Sequence, residues 1–386
     1  MLRGLPRAVY LLAVTSFSAD VSTEMLYPVL PLFLTQELGA PRTVVGVVEG
    51  VAEATQNIVQ GGSGWLADRL GRNKPVAVVG YALAALAKPT IGLATAWPSV
   101  LASRFADRLG TGIRSAPRDA LIAGAAPRER RGAAFGLEGI GDNMGAVVGP
   151  LVAVALLYLV HLPLRAIFLI AFIPGLLAVA LISAVPEPRA TANAPRPRFE
   201  LRAFPSAYWR YLAAIGVFGL GNASSAFVIL KAAEVGLPAE ATILVYAAYN
   251  LVAAIASYPA GQLSDVWGRK RVMVATLAIF AAAFGGLALA TSGLVVAVLF
   301  ALYGVHRGAV RAVGKALAVD LAPAEVRASS VGLYSSVVGL AALAAGTMAG
   351  ALWDRFGSQT TFATAAALAL LGTVLLALLV PARARA

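Results

Sequence analysis

Ionisable residues recur at one-turn spacing inside apolar sequence. Asp20 and Glu24, Glu49 and Glu53, and Glu138 and Asp142 are i,i+4 pairs, so each pair shares one helix face. An apolar medium drives a carboxylate towards its neutral form, and a nearby cation reverses that, so such groups can take up and release protons. Asp20, Glu24, Asp142 and Glu53 are therefore the candidate proton-coupling residues. Cations oppose them. Residues 98-123 hold Arg104, Arg108, Arg114 and Arg118 with Asp107 and Asp119, and Lys88 precedes them. Farther on, Tyr303, Arg307, Arg311 and Lys315 form a stripe at four-residue intervals, beside His306. Arg108, Arg114, Arg307, Arg311 and Tyr303 are candidate substrate contacts, with Asn222 and Asn250 able to hydrogen-bond a ligand. The same charges could instead hold helices together, for example Glu49 or Glu53 with Lys88, or Asp142 with Arg108.

These residues need elements that carry them through an apolar environment. The 386-residue chain is 59% hydrophobic and 13% charged, where soluble domains carry about 25% charged residues. Twelve apolar stretches of roughly 20 residues, each long enough to cross a bilayer as a helix, are expected at 8-34, 43-66, 75-95, 98-123, 131-157, 163-185, 207-230, 240-263, 272-290, 294-320, 327-351 and 359-380. They leave no room for a soluble catalytic domain. There is no cysteine, no phosphate-binding glycine loop and no nucleophile motif, so neither an enzyme nor a cofactor is expected. The first stretch is too long for a cleaved signal peptide and is expected to remain.

The net charge of +12 would suggest nucleic acid in a soluble protein, but its placement gives another meaning. Most Lys and Arg outside the spans fall on alternate connections, as at Arg69, Arg72, Lys74, Arg128, Arg130, Arg131, Arg269, Lys270 and Arg271. That bias puts both termini of a multi-pass membrane protein in the cytoplasm. The Pro- and Arg-rich segment 186-206 reads as a cytoplasmic linker between an N-terminal bundle, 1-185, and a C-terminal bundle, 207-386. Phe204, Tyr208, Trp209 and Tyr211 are expected to mark the membrane interface.

One phrase occurs twice, about half a chain apart. Gly64-Trp65-Leu66-Ala67-Asp68-Arg69-Leu70-Gly71-Arg72 returns as Gly261-Gln262-Leu263-Ser264-Asp265-Val266-Trp267-Gly268-Arg269. Gly64 and Gly261 permit close helix approach, and Asp68 and Asp265 suit the positive amino end of a helix. Ala120-Leu121 with Ala316-Leu317, and Gly136-Leu137 with Gly332-Leu333, extend the duplication. Internal repeats of this size are how many transporters are built.

The repeated phrase resembles the signature loop of the major facilitator superfamily, and the resemblance covers the whole chain. Arg108-Leu109-Gly110-Thr111-Gly112 is similar to the family's Arg-x-x-Gln-Gly pattern, with Thr111 in place of Gln. Gly136, Gly145, Gly149 and Pro150 are similar to its antiporter pattern, with Ala153-Val154 where that pattern ends in glycines. Asp20-Val21-Ser22-Thr23-Glu24-Met25 and Arg114-Ser115-Ala116-Pro117-Arg118-Asp119 look like a bacterial branch of permeases and drug exporters. The resemblance implies an all-α membrane protein of twelve transmembrane helices, in two six-helix bundles related by pseudo-twofold symmetry. It implies a gating role for the two motif copies, a helix-packing role for the glycines, a central cavity, and a monomer in the bacterial inner membrane.

The function expected is a proton-coupled antiporter that exports a small organic molecule by alternating access, its partners being substrate, protons and lipid. Uptake or exchange of an anionic metabolite is the alternative suggested by the basic stripe. A divalent-metal exporter using the carboxylates and His306, and a non-transporting sensor, are further alternatives.

Overall fold

The computed structural model describes residues 5–70, 72–127, 130–187, 201–323 and 326–381, with backbone alone at 64–66, 68–70, 202 and 328. The described residues are helical throughout, with no strand. Among the described residues, eight helices are long and apolar enough to cross a membrane. Many large apolar side chains lie exposed on them, including Val79, Leu86, Ile255, Val266, Leu294 and Val298. A water-facing protein rarely shows such surfaces, whereas lipid solvates them.

The chain clusters into two compact units, Met1–Gly39 with Thr55–Ala194, and Ala40–Ala54 with Pro195–Ala386. The helices of the first are α1 (Arg7–Leu26), the short α2 (Leu30–Leu32), the later part of α3 (Arg42–Leu70), α4 (Asn73–Gly92), α5 (Trp97–Ala125), α6 (Arg131–Tyr158), α7 (Leu164–Ile170) and α8 (Phe172–Ala184). Here α1 packs on α6 and α8, and α4 on α5 and α8. Glycines set the α1–α6 spacing. A Cβ on Gly145 would strike the Phe17 carbonyl oxygen and Asp20 Cβ, and one on Gly149 would strike the Val21 carbonyl oxygen and Glu24 Cβ. Asp20 and Glu24 are thereby held on a helix that cannot shift against α6 without opening a void.

The second unit holds α9 (Ser206–Gly221), α10 (Ser225–Glu234), α11 (Ala239–Trp267), α12 (Arg269–Leu289), α13 (Gly293–Asp320) and α14 (Arg327–Leu379), the last carrying a turn at Gly357, where φ is 83°. Its main packings are α9 and α12 on α14, and α11 on α13. The early part of α3 belongs to this unit. Gly46 meets Gly346 backbone to backbone, and Asp354 accepts hydrogen bonds from the Arg42 and Thr43 amides at 3.0 and 2.8 Å.

Three stretches read from sequence as continuous are broken. Pro28 follows the end of α1, and the chain restarts at Leu30 and passes into a π-helical turn, Phe33–Glu37. Pro174 removes the amide that would have bonded the Ile170 carbonyl, and the helix breaks at Ala171, whose carbonyl accepts from Ser22 Oγ. The stretch 207-230 breaks at Asn222 (ψ 69°), and Ser224 caps α10 by accepting from the Ala226 amide. The segment 186-206 contains structure as well: Glu187 accepts from the Asn73 and Lys74 amides at 2.9 and 3.2 Å, an anion on the positive end of α4. Residues 188–200 lie outside the described residues.

The aromatic cluster expected at the interface is mostly inside the bundle. Tyr208 and Tyr211 are fully buried and donate to the carbonyls of Ser330 and Gly314 at 2.7 and 2.8 Å, while Phe204 stacks on Tyr208. Only Trp209 of the four is exposed. A buried hydroxyl needs an acceptor, and here helix carbonyls supply it.

Candidate functional site

Helix α5 brings together two charge clusters of opposite composition. In its first half the fully buried Asp107 serves three cations: Arg104 Nη1 at 2.9 Å, Arg108 Nε at 3.2 Å and Lys88 Nζ at 3.3 Å. Lys88 also donates to the Ala84 carbonyl, and Arg108 Nη1 to Gln56 Oε1 at 2.9 Å. Three turns farther on, the charges invert. Arg118 serves three carboxylates: Glu138 at 2.8 Å, Asp119 at 3.0 Å and Asp142 at 3.7 Å. Ser16 Oγ donates to Glu138 and accepts from Arg118.

Arg114 lies between these clusters. Its guanidinium rests on the Tyr81 ring, 4.4 Å from the centroid, and its Nη2 is 3.9 Å from Asp20 Oδ1. The Arg114 side chain is 7% exposed and that of Asp20 21%. Arg114 Nε and Nη1 have no hydrogen-bond partner among the described residues. A long ion pair with unsatisfied donors is weaker than the 2.8–3.0 Å contacts at Arg118. The Asp20–Arg114 contact is therefore looser than the Glu138–Arg118 contact. Glu24, one turn later, is half-buried.

The fixed pairs expected from sequence are replaced by others. Lys88 is paired with Asp107 rather than with Glu49 or Glu53, and Asp142 meets Arg118 rather than Arg108. Asp107, Tyr81, Gln56 and Arg118 carry the network without having been among the candidates.

In the second unit, Tyr303 sits in an aromatic cluster, with ring centroids 5.1 Å from Tyr249, 5.3 Å from Phe284 and 5.4 Å from Phe280. His306 is buried in the same cluster, its Nδ1 2.9 Å from the Thr276 carbonyl. That contact makes it a packing residue, and among the described residues no three His, Cys, Asp or Glu side chains converge as a metal site. Arg307, Arg311 and Lys315 lie on the exposed face of α13. Arg307 and Glu53 both lie within electrostatic reach of Tyr303. Asn250 is half-buried on α11. Asn222 stands at the break between α9 and α10, with its buried Oδ1 lacking a hydrogen-bond partner.

Of the first motif copy, Gly71 and the side chains of Asp68 and Arg69 lie outside the described residues, Gly64 is described by its backbone alone, and Arg72 is exposed just before α4. In the second copy Gly268 has φ +90°, a conformation that favours glycine, and Arg269 pairs with Asp320 at the end of α13 at 3.0 Å. Asp265 is exposed. Among the described residues, nothing beyond the local helix backbone lies within 4 Å of a Cβ built on Gly261 or Gly136, so no close approach is seen there at Gly261. Gly141, four residues before Gly145, packs against the Ala13 carbonyl and extends the glycine stripe. Pro150 is buried in α6 directly after Gly149.

Lipid-facing helices around buried charge networks define a multi-pass membrane transporter rather than an enzyme. The chain belongs to the Major Facilitator Superfamily, whose sequence profile matches residues 12–229 and 211–386. It is 32% identical over 381 residues to an MFS-type transporter of Methanocaldococcus jannaschii, covering 97% of this chain and 95% of that one. It is also 28% identical over 142 residues, 37% of this chain, to the multidrug resistance protein MdtH of Salmonella paratyphi B. In fold it matches the nucleoside transporter NupG with a TM-score of 0.81 at 13% identity, covering 96% of this chain and 99% of that one.

Proposed function

We propose that this transporter is a proton-coupled antiporter that exports a small organic molecule, with Asp20 as the principal proton carrier. One observation carries the reading: Asp20 is partly exposed and stands 3.9 Å from a buried arginine that two of its own donors leave unsatisfied. Protonating Asp20 loosens it from Arg114, and losing the proton restores the attraction. Asp142 and Glu138, gathered on Arg118 a turn away along α5, are a reservoir from which a proton reaches that pair, and Glu24 and Glu53 are secondary carriers. The glycine contacts of α6 with α1 and the partial likeness to MdtH support export. The protein is proposed to act as a monomer in the bacterial inner membrane with cytoplasmic termini, its halves 1-185 and 207-386 alternating access around the linker 186-206. The motif copies at 64–72 and 261–269 serve as gates.

The test begins with a thermal-shift screen of drugs, organic anions and sugars for a stabilising substrate. Flux of that substrate is then followed in proteoliposomes under an imposed pH gradient. The gradient drives flux by the native chain and not by Asp20→Asn. Flux that ignores the gradient in both refutes proton coupling.

The exposed cations of α13 favour one second reading, exchange of an anionic metabolite. Under it Arg307, Arg311 and Tyr303 of α13 bind the anion, and Asn222, Asn250, Arg108 and Arg114 are the remaining candidate contacts.

A further inference from the structure

A small cavity lies inside the first unit where α1, α4, α5 and α8 meet, lined by Thr23, Tyr81, Lys88 and Arg114 together with alanines and Gly175. It has room for a water- or halide-sized guest and no more. Its polar wall is cationic. Arg114 is 6% exposed, with Nε and Nη1 lacking partners, and the buried Tyr81 hydroxyl also lacks one. Lys88 shares its one carboxylate, Asp107, with Arg104 and Arg108.

From this geometry we propose that the cavity is a binding site for a monovalent inorganic anion of halide size, chloride being the abundant one. Two cationic side chains on the wall exclude a metal ion. The size of the space excludes sulfate, phosphate and carboxylate-bearing metabolites. Water fits the space, but it supplies no charge to a desolvated guanidinium whose nearest carboxylate is 3.9 Å away. An anion accepts from Arg114 Nε or Nη1 at the edge of the guanidinium plane and neutralises it there. It thereby competes with Asp20 for Arg114. The site is independent of the identity of the exported molecule and of proton coupling, because its occupancy is read by binding alone.

The test uses the full chain purified in detergent. Chloride-35 NMR line broadening is measured against chloride concentration, with sodium gluconate holding ionic strength constant, and unfolding temperature is followed in the same series. The native chain shows saturable broadening and a chloride- and bromide-specific rise in unfolding temperature. Arg114→Gln weakens binding about tenfold or more, as expected for loss of a charged hydrogen-bond donor. Crystals of the native chain grown in bromide show anomalous density in the cavity beside Arg114 Nε and Nη1, a readout that needs no variant to fold. Indifference to halide, anomalous density elsewhere, or unchanged chloride binding in a folded Arg114→Gln chain overturns the site and leaves water as the occupant.

Discussion

Asp20 and Arg114 face each other at 3.9 Å across α1 and α5, with the arginine the more deeply buried of the two. Asp107, by contrast, is fully buried and contacts its nearest cation at 2.9 Å. The two carboxylates are expected to differ in what their loss does. Asp107→Asn leaves three buried cations without their shared counter-ion, so it destabilises by about 3–5 kcal/mol. Asp20→Asn costs less stability and removes the pH-driven component of transport. Thermal unfolding of both variants in one detergent checks the order.

The Asp107 cluster is a network, so its substitutions are not additive. Removing Lys88 as well as the carboxylate takes away a charge that Asp107→Asn had stranded. The double variant Lys88→Met with Asp107→Asn is therefore more stable than the sum of the single losses, with a coupling of about 0.5–3 kcal/mol. A double-mutant cycle on unfolding free energies measures it, and strict additivity contradicts the shared-carboxylate geometry.

Gly145 and Gly136 lie in one motif but in different surroundings. A side chain at Gly145 meets the backbone of α1, while among the described residues nothing beyond the local helix lies within 4 Å at Gly136. Gly145→Val is expected to cost at least about 1–3 kcal/mol through overpacking. Gly136→Ala is neutral or stabilising by up to about 1 kcal/mol, since alanine favours helix. Comparable losses at both positions would sink this account of α1–α6 packing.

Gly268 links α11 to α12 with φ +90° and ψ 139°. A side chain there strains the backbone, so Gly268→Ala costs roughly 1–3 kcal/mol. The same change at Gly261, inside α11 and with nothing within 4 Å among the described residues, costs nothing measurable.

Arg307 and Arg311 decide between the two transport readings. If the cargo is anionic, Arg307→Gln with Arg311→Gln abolishes anion flux and spares neutral or cationic compounds. An equal loss for all compounds marks the stripe as structural. Competition flux assays with one anionic and one cationic compound read the difference.

Much of the fold was legible because bilayer crossing demands long apolar helices and charge bias at their ends. The repeated Gly-x-x-x-Asp-x-x-Gly-Arg phrase and the glycines of α6 pointed to the family now established. The pairings were less legible. Arg108 and Arg118 are ten residues apart on α5, about 15 Å along its axis, and sequence does not say which depth Asp142 reaches on α6. A span estimate wrong by a few residues exchanges one partner for the other. Tyr81 carried no signal, being a lone aromatic in an alanine-rich helix, although Arg114 rests on it. The burial of Tyr208 and Tyr211 was not legible, because amphipathic rings suit a headgroup layer and a carbonyl-lined core alike. The break at Asn222 had a cue in Asn222 and Ser224, a helix ender and an N-cap, which the apolar count over 207-230 concealed.

The central claim is that Asp20 carries the proton exchanged for substrate. A pH-sensitive dye on proteoliposomes, read as substrate is added without an imposed gradient, tests it most directly. The native chain moves protons opposite to substrate. Asp20→Asn gives no proton signal while substrate still exchanges against substrate. A native-size proton signal from the Asp20→Asn chain would contradict the claim.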